Sequence, residues 1–194
     1  MTPTDLTDLS TWLDVIAGSH DRLCDLVGDL NEDSLRQPSY CDDWTIAQVL
    51  SHIGSGAEIL AKYVDATVAG DPPPSRDTFP EVWARWNALP PREVAEAAIS
   101  TDGSFVEKVE NLGEALEALE FKLFGVLDVD GIGLLRVRLS EHALHTWDIA
   151  VALDPRALVD ADAVNLLIDG LPRIAARLGK AERLDGTRRA QSAS

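Results

Sequence analysis

Long apolar runs are missing from this 194-residue chain. None reaches the roughly 18 residues that a membrane-spanning helix needs. Basic charge is scarce too. Seventeen Lys and Arg face 33 Asp and Glu, for a formal net charge of -16. Such a field repels phosphate backbones and anionic lipid, so nucleic acid and membranes are poor partners. The one basic cluster, Arg188-Arg189, is too short to reverse this, and the acidic surface serves solubility. Cysteine is limited to Cys24 and Cys41, with no CxxC pair, so a disulfide framework is excluded. The first ten residues lack the positive start and apolar middle of a secretion signal, and a cytoplasmic location is expected.

What is present is helical periodicity. Hydrophobic residues make up 45% of the chain, enough for one domain with a substantial core. Leu6, Leu9, Leu13, Ile16, His20, Leu23, Val27 and Leu30 form a heptad-like seam for a first helix. Asp42 or Asp43 is placed to cap a second, from about Trp44 to Val68, with Ile46, Leu50, Ile53, Ala57, Leu60 and Val64 inward. The prolines of segment 70–77 end it. Residues 79–100 read as short helices interrupted at Pro90-Pro91. Ser104 and Glu107 have capping-box spacing and predict a third long helix carrying Phe105, Val109, Leu112, Leu116, Leu119 and Leu123. Residues 125–131 read as a loop. A fourth helix spans Ile132 to Leu153, and a fifth covers about 160–178.

These seams specify an all-α fold, a four-helix bundle over residues 1–180 followed by a polar tail, 181–194. The first two helices are joined by a loop that allows antiparallel neighbours. Residues 70–103 are long enough for a crossover with extra short helices. A bundle of this kind can pair as a homodimer.

Bundles build metal sites from inward histidines and carboxylates on facing helices. His52 lies in an apolar arc of the second helix, beside Val49, Gly56, Ile59 and Tyr63. A core histidine satisfied by one hydrogen bond has the same pattern. On the fourth helix Glu141 and His145 are one turn apart, flanked on the same stripe by Arg138 and Asp148. Intrahelical ion pairs on a solvated face would read alike. That helix is apolar nearly all round, however, which argues for an interior stripe whose charges need a partner such as a metal ion. His20 occupies a seam position and suits a packed structural role. His142 points about 100° away from the stripe. Cys41 is expected too far from His52, about 12 Å or more along the axis, to share a metal with it.

Two segments carry a resemblance. SYCDDWTIAQVLSHI (39–53) resembles the entrance to the second helix in the DinB-like superfamily, in the branch named after mycothiol-dependent maleylpyruvate isomerase. RLSEHALHTWDIAVAL (138–153) is similar to that branch's R-x-x-E-x-x-x-H-x-W-D helix. Asp42-Asp43 stand where the branch has Pro-Gly. The resemblance covers about residues 5–178. It implies a DinB-like four-helix bundle and a His, Glu, His triad, normally holding zinc, at His52, Glu141 and His145. It also implies a low-molecular-weight thiol, mycothiol, as cosubstrate, with an electrophilic small molecule as the second partner.

A His₂Glu set leaves an open coordination position, the mark of catalytic zinc, and suits a thiol-dependent S-transferase or isomerase. Asp148 is placed to orient His145, and Arg138 to hold Glu141 or an anionic substrate. The resembled isomerase carries a second, C-terminal α/β domain, for which the residues after Gly179 are expected to leave no room. A non-catalytic binding or regulatory bundle with a vestigial metal, and a hydrolase using zinc-bound water, are the alternatives.

Overall fold

The structure, a computed structural model, describes residues 8–169. Leu6, the far end of the expected fifth helix and the polar tail 181–194 lie outside the described residues. Helix α1 (Leu9–Gly28) starts where Asp8 accepts the Ser10 N–H, and it buries Trp12, Ile16, Ser19, Leu23 and Val27. A short helix α2 (Glu32–Leu35) is set into the connection and capped by Asn31. Helix α3 (Ile46–Ala69) begins two residues later than expected. Thr45 and Gln48 form its capping box, and Asp42 and Asp43 stay outside it. It ends at Gly70, whose φ of 71° closes the last turn at little steric cost.

The expected break at Pro90-Pro91 is the start of a helix. Proline at the first helical position lacks only an N–H that would be unpaired there anyway. After α4 (Phe79–Asn87), helix α5 therefore runs unbroken from Pro91 to Leu112. Ser104, read as a cap, lies inside it, its hydroxyl donating back to the Ser100 carbonyl. The run does not continue to Leu123. A 3-10 stretch (Gly113–Ala118) leads into an antiparallel hairpin, β1 (Glu120–Leu123) and β2 (Leu127–Asp130), with Glu120 opposite Asp130. The expected loop at 125–131 is thus mostly strand and turn. Phe121 and Leu123 alternate inward, and Phe124 and Gly125 turn the chain at φ of 55° and 70°. Helix α6 (Gly131–Leu153), capped by Asp130, matches expectation, and α7 (Ala161–Leu167) follows.

The all-α bundle expected from the seams is what the chain forms. α1 packs on α5 and α6, and α3 packs on the same two helices. The first two long helices are therefore diagonal across the bundle, not antiparallel neighbours, because the 70–90 crossover brings α5 between them. No helix among the described residues is long and apolar enough to cross a membrane.

The α3–α5 contact and the packing of α4 upon it depend on Gly54. A Cβ there would lie 2.3 Å from Trp86 Cη2 and 3.0 Å from the Ala98 backbone. Trp86 is buried and its indole N–H donates to Glu58, so the ring has little freedom to retreat. Gly54→Ala is expected to destabilise the protein by about 1–3 kcal/mol through overpacking, despite alanine's better helix propensity. A denaturant midpoint unchanged or raised by this substitution would contradict the packing.

Candidate metal centre

α3 and α6 lie side by side, which brings His52 to face Glu141 and His145. His52 Nε2 is 3.1 Å from Glu141 Oε2, and His145 Nε2 is 3.6 Å from the same oxygen. All three ligand atoms lie within 4.8 Å of one another. A tetrahedral zinc with bonds of about 2.0–2.1 Å separates its ligands by about 3.4 Å, so the two closest spacings already suit one ion.

The stripe is less interior than its apolar surroundings suggested. The side chain of Glu141 is 53% exposed and that of His52 37%, while His145 is 20% exposed. The carboxylate keeps part of its hydration at the mouth of a cleft, which removes the need for full burial. His145 and then His52 hold the Glu141 carboxyl below its ordinary value. Burial alone would lower the His145 imidazole, but Asp148 and Glu141 outweigh it and raise it to about 9. Ligation requires the neutral ring, so a metal taken up at His145 would displace a proton and be favoured by rising pH.

Asp148 sits where the spacing placed it. Its Oδ2 is 2.9 Å from His145 Nδ1, which leaves Nε2 turned toward Glu141. The same oxygen accepts from the Cys41 thiol at 3.0 Å. Cys41 is therefore nearer the site than the axial distance predicted, although it does not group with His52 and Glu141 as a ligand. α3 begins at Ile46, and residues 38–45 fold back instead of extending along the axis. The Ser39 N–H donates to the Trp44 carbonyl at 2.8 Å, Asp43 takes φ of 66°, and the Tyr40 N–H donates to the Asp148 carbonyl at 3.1 Å. Cys41 faces the Nδ1 side of His145 and forms a separate group with His145 and Asp148. Burial first, then the Asp148 carboxylate, pushes its thiol up to about 12, so at neutral pH it is a donor and not a nucleophile. The Thr45/Gln48 box, legible as T-x-x-Q, was the signal that would have moved the helix start and Cys41 with it. Trp44 completes this side, its ring centroid 5.4 Å from that of His52.

Asp148→Asn is expected to weaken metal affinity roughly 10- to 100-fold while leaving the fold intact, because a ligating imidazole loses the carboxylate that orients it. Competition against a chromophoric chelator measures this. Equal dissociation constants for variant and wild type would remove Asp148 from the site.

Arg138 does not hold Glu141. Its guanidinium is buried, pairs with Asp102 of α5 and donates to the Ile53 carbonyl at 3.2 Å. Asp102 gathers the two remaining histidines as well. His20 Nδ1 is 2.8 Å from its carboxylate and His142 Nε2 is 2.9 Å away, while Ser19 Oγ meets His142 Nδ1 at 2.7 Å. This polar cluster ties α1, α5 and α6 together beneath the site. His20 is in the packed structural role expected of it, and burial keeps His142 below its ordinary value, hence neutral.

Between the triad and the hairpin tip lies a cleft of about 250 Å³. His52, Glu141 and His145 form one end, and Trp83, Phe124 and Val137 are among its apolar walls.

The model of the mycothiol maleylpyruvate isomerase N-terminal domain matches residues 16–150. The chain belongs to that family. Both motif segments fall almost wholly inside the matched span. In solved structures the chain is similar to a mycothiol-dependent maleylpyruvate isomerase, with a TM-score of 0.71 and 15% identity over 86% of this chain and 70% of that one. A histidine-to-alanine variant of the same isomerase matches equally well. At that identity the likeness speaks to the fold, which is the DinB-like all-α bundle of this family. No curated protein matches the chain in sequence at a significant level.

Proposed function

We propose that the chain is a zinc-binding, thiol-dependent enzyme that uses mycothiol for S-transfer or for cis–trans isomerisation. The observation that carries this reading is a three-ligand set, His52, Glu141 and His145, opening onto a cleft. A structural zinc would be closed by a fourth protein ligand, whereas here Cys41 stands on the far side of the His145 ring. Family membership supports the choice of thiol.

Zinc in such a donor set supplies Lewis acidity, which favours the thiolate form of a thiol near neutral pH. The chain's own residues do the rest. Asp148 accepts the His145 Nδ1 proton and fixes the ring so that Nε2 faces the cleft. Cys41 donates to the same carboxylate and braces it. The apolar walls exclude water and hold an electrophile beside the thiolate. Attack forms a C–S bond and moves an electron pair off the attacked carbon. If that pair expels a leaving group, the product is a thioether. If the acceptor is a conjugated alkene, the pair rests on the neighbouring carbon, rotation follows, and expulsion of the thiolate leaves the trans alkene and returns the thiol.

The test is a thiol-transfer assay with mycothiol and monochlorobimane, run beside alkene isomerisation followed by ultraviolet absorbance. Either activity, dependent on both thiol and metal, is the expected result. Metal bound at full occupancy with no thiol-dependent turnover of either kind would favour the non-catalytic bundle.

A further inference from the structure

The cleft is built for one kind of electrophile. Apart from the triad histidines, the only cation among its lining residues is Arg138, and that charge is spent: Asp102 neutralises it and the Ile53 carbonyl takes a further N–H. The nearby Lys62 and Arg85 are both held by Glu58, at 2.8 and 2.6 Å. Ser55 donates to the His52 carbonyl. Apart from the triad end, the walls are apolar, with Ile59, Leu60, Trp83, Phe124 and Val137.

Two of these aromatics are placed at some expense. Trp83 is 45% exposed, a large apolar ring left at the cleft edge. Phe124 turns the hairpin at φ of 55°, a region that residues with a Cβ rarely occupy, and the Tyr63 hydroxyl holds it there by accepting its N–H at 2.8 Å. At about 250 Å³ the space is below the roughly 300–1,000 Å³ of sites that enclose drug-sized ligands.

We infer that the cleft takes a small electrophile with an uncharged, apolar body, an aryl or alkenyl compound, and discriminates against dicarboxylates. One carboxylate can sit at the triad. A second, carried past the triad into the cleft, loses its water and finds no unpaired cation among the other lining residues, while the chain's charge of -16 repels it at a distance. Catalytic use of this preference rests on the thiol reading above. The binding preference does not.

The experiment therefore has two arms on the full chain. In the first, mycothiol-dependent isomerisation of dimethyl maleate is compared with that of the maleate dianion, each relative to its own uncatalysed thiol reaction. The enhancement for the diester is expected to exceed that for the dianion by roughly tenfold or more, as for a buried charge left unpaired. Trp83→Arg, which places a cation at an exposed edge, is expected to narrow the ratio while bound metal stays constant. In the second arm the unreactive dimethyl succinate and succinate are titrated, with Trp83 fluorescence as the signal and Trp83→Phe as background. Tighter diester binding is expected. Diester bound but never turned over supports the cleft assignment and overturns the thiol reading instead. Tighter binding or faster turnover of the dianion, or no diester binding at all, overturns this inference.

Discussion

His52→Ala and His145→Ala are each expected to strip the protein of its metal, from about one zinc-class ion per chain to under about a tenth of one after dialysis. With one imidazole gone, Glu141 and the remaining histidine are two donors at a half-exposed site, and water competes easily for the rest. The His145 variant also loses the only ring that Asp148 orients. Thiol-dependent turnover should disappear with the metal. Helical circular dichroism should not, because the core lies elsewhere, in residues such as Trp12, Leu50, Phe105 and Leu139. Metal analysis by mass spectrometry decides the matter, and full occupancy in either variant would refute the triad.

Asp102→Ala is expected to act on stability instead, and severely. Arg138 and Asp102 each have side chains only 2% exposed, so removing the carboxylate leaves a buried cation without its counter-ion. Such losses cost about 3–5 kcal/mol, a large part of the roughly 5–15 kcal/mol that holds a domain folded. Replacing the pair together, as Asp102→Leu with Arg138→Met, should recover most of the loss, since no charge is then stranded.

The same group predicts a pH dependence. Burial by itself would raise the Asp102 carboxyl, but Arg138, then His142 and His20, hold it well below the ordinary value of 3.8. A folded-state value that is depressed means the contribution is complete above 3.8 and is lost as pH falls through the folded value. His20 runs the other way. Asp102 raises it above 6.5, so its share is complete below 6.5 and fades as pH rises through the folded value. Urea titrations should therefore show the gap between wild type and Asp102→Ala shrinking under strongly acidic conditions. A gap below about 1 kcal/mol at pH 7 would contradict the buried pair.

Asp102 also shows where sequence reasoning stopped. It shares one face of α5 with Ala95, Ala98, Phe105 and Val109, a polar residue in an apolar seam. That signal is legible only if the helix starts at Pro91. Treating Pro90-Pro91 as a break and Ser104 as a cap divided the seam and hid the carboxylate that explains His20, His142 and Arg138 at once. Glu141 and His145 were legible as one stripe because they lie on a single helix and keep their face whatever its exact ends are, whereas joining them to His52 across two helices came from the resemblance. Cys41 was not, since its position depends on a loop folding back through backbone hydrogen bonds that leave no periodic trace. The hairpin was obscured for a related reason. Strands of four residues offer too little alternation to outweigh the leucine spacing that imitated a helix.

The proposed function requires a thiol to reach a metal held by His52, Glu141 and His145. Cobalt-substituted protein tests this directly, because a thiolate at cobalt gives a sulfur-to-metal charge-transfer band in the near ultraviolet. The prediction is that the band grows and saturates as mycothiol is added, beyond any baseline from Cys41, and is absent in His145→Ala. Cobalt bound stoichiometrically with no change in that band at saturating thiol would contradict it.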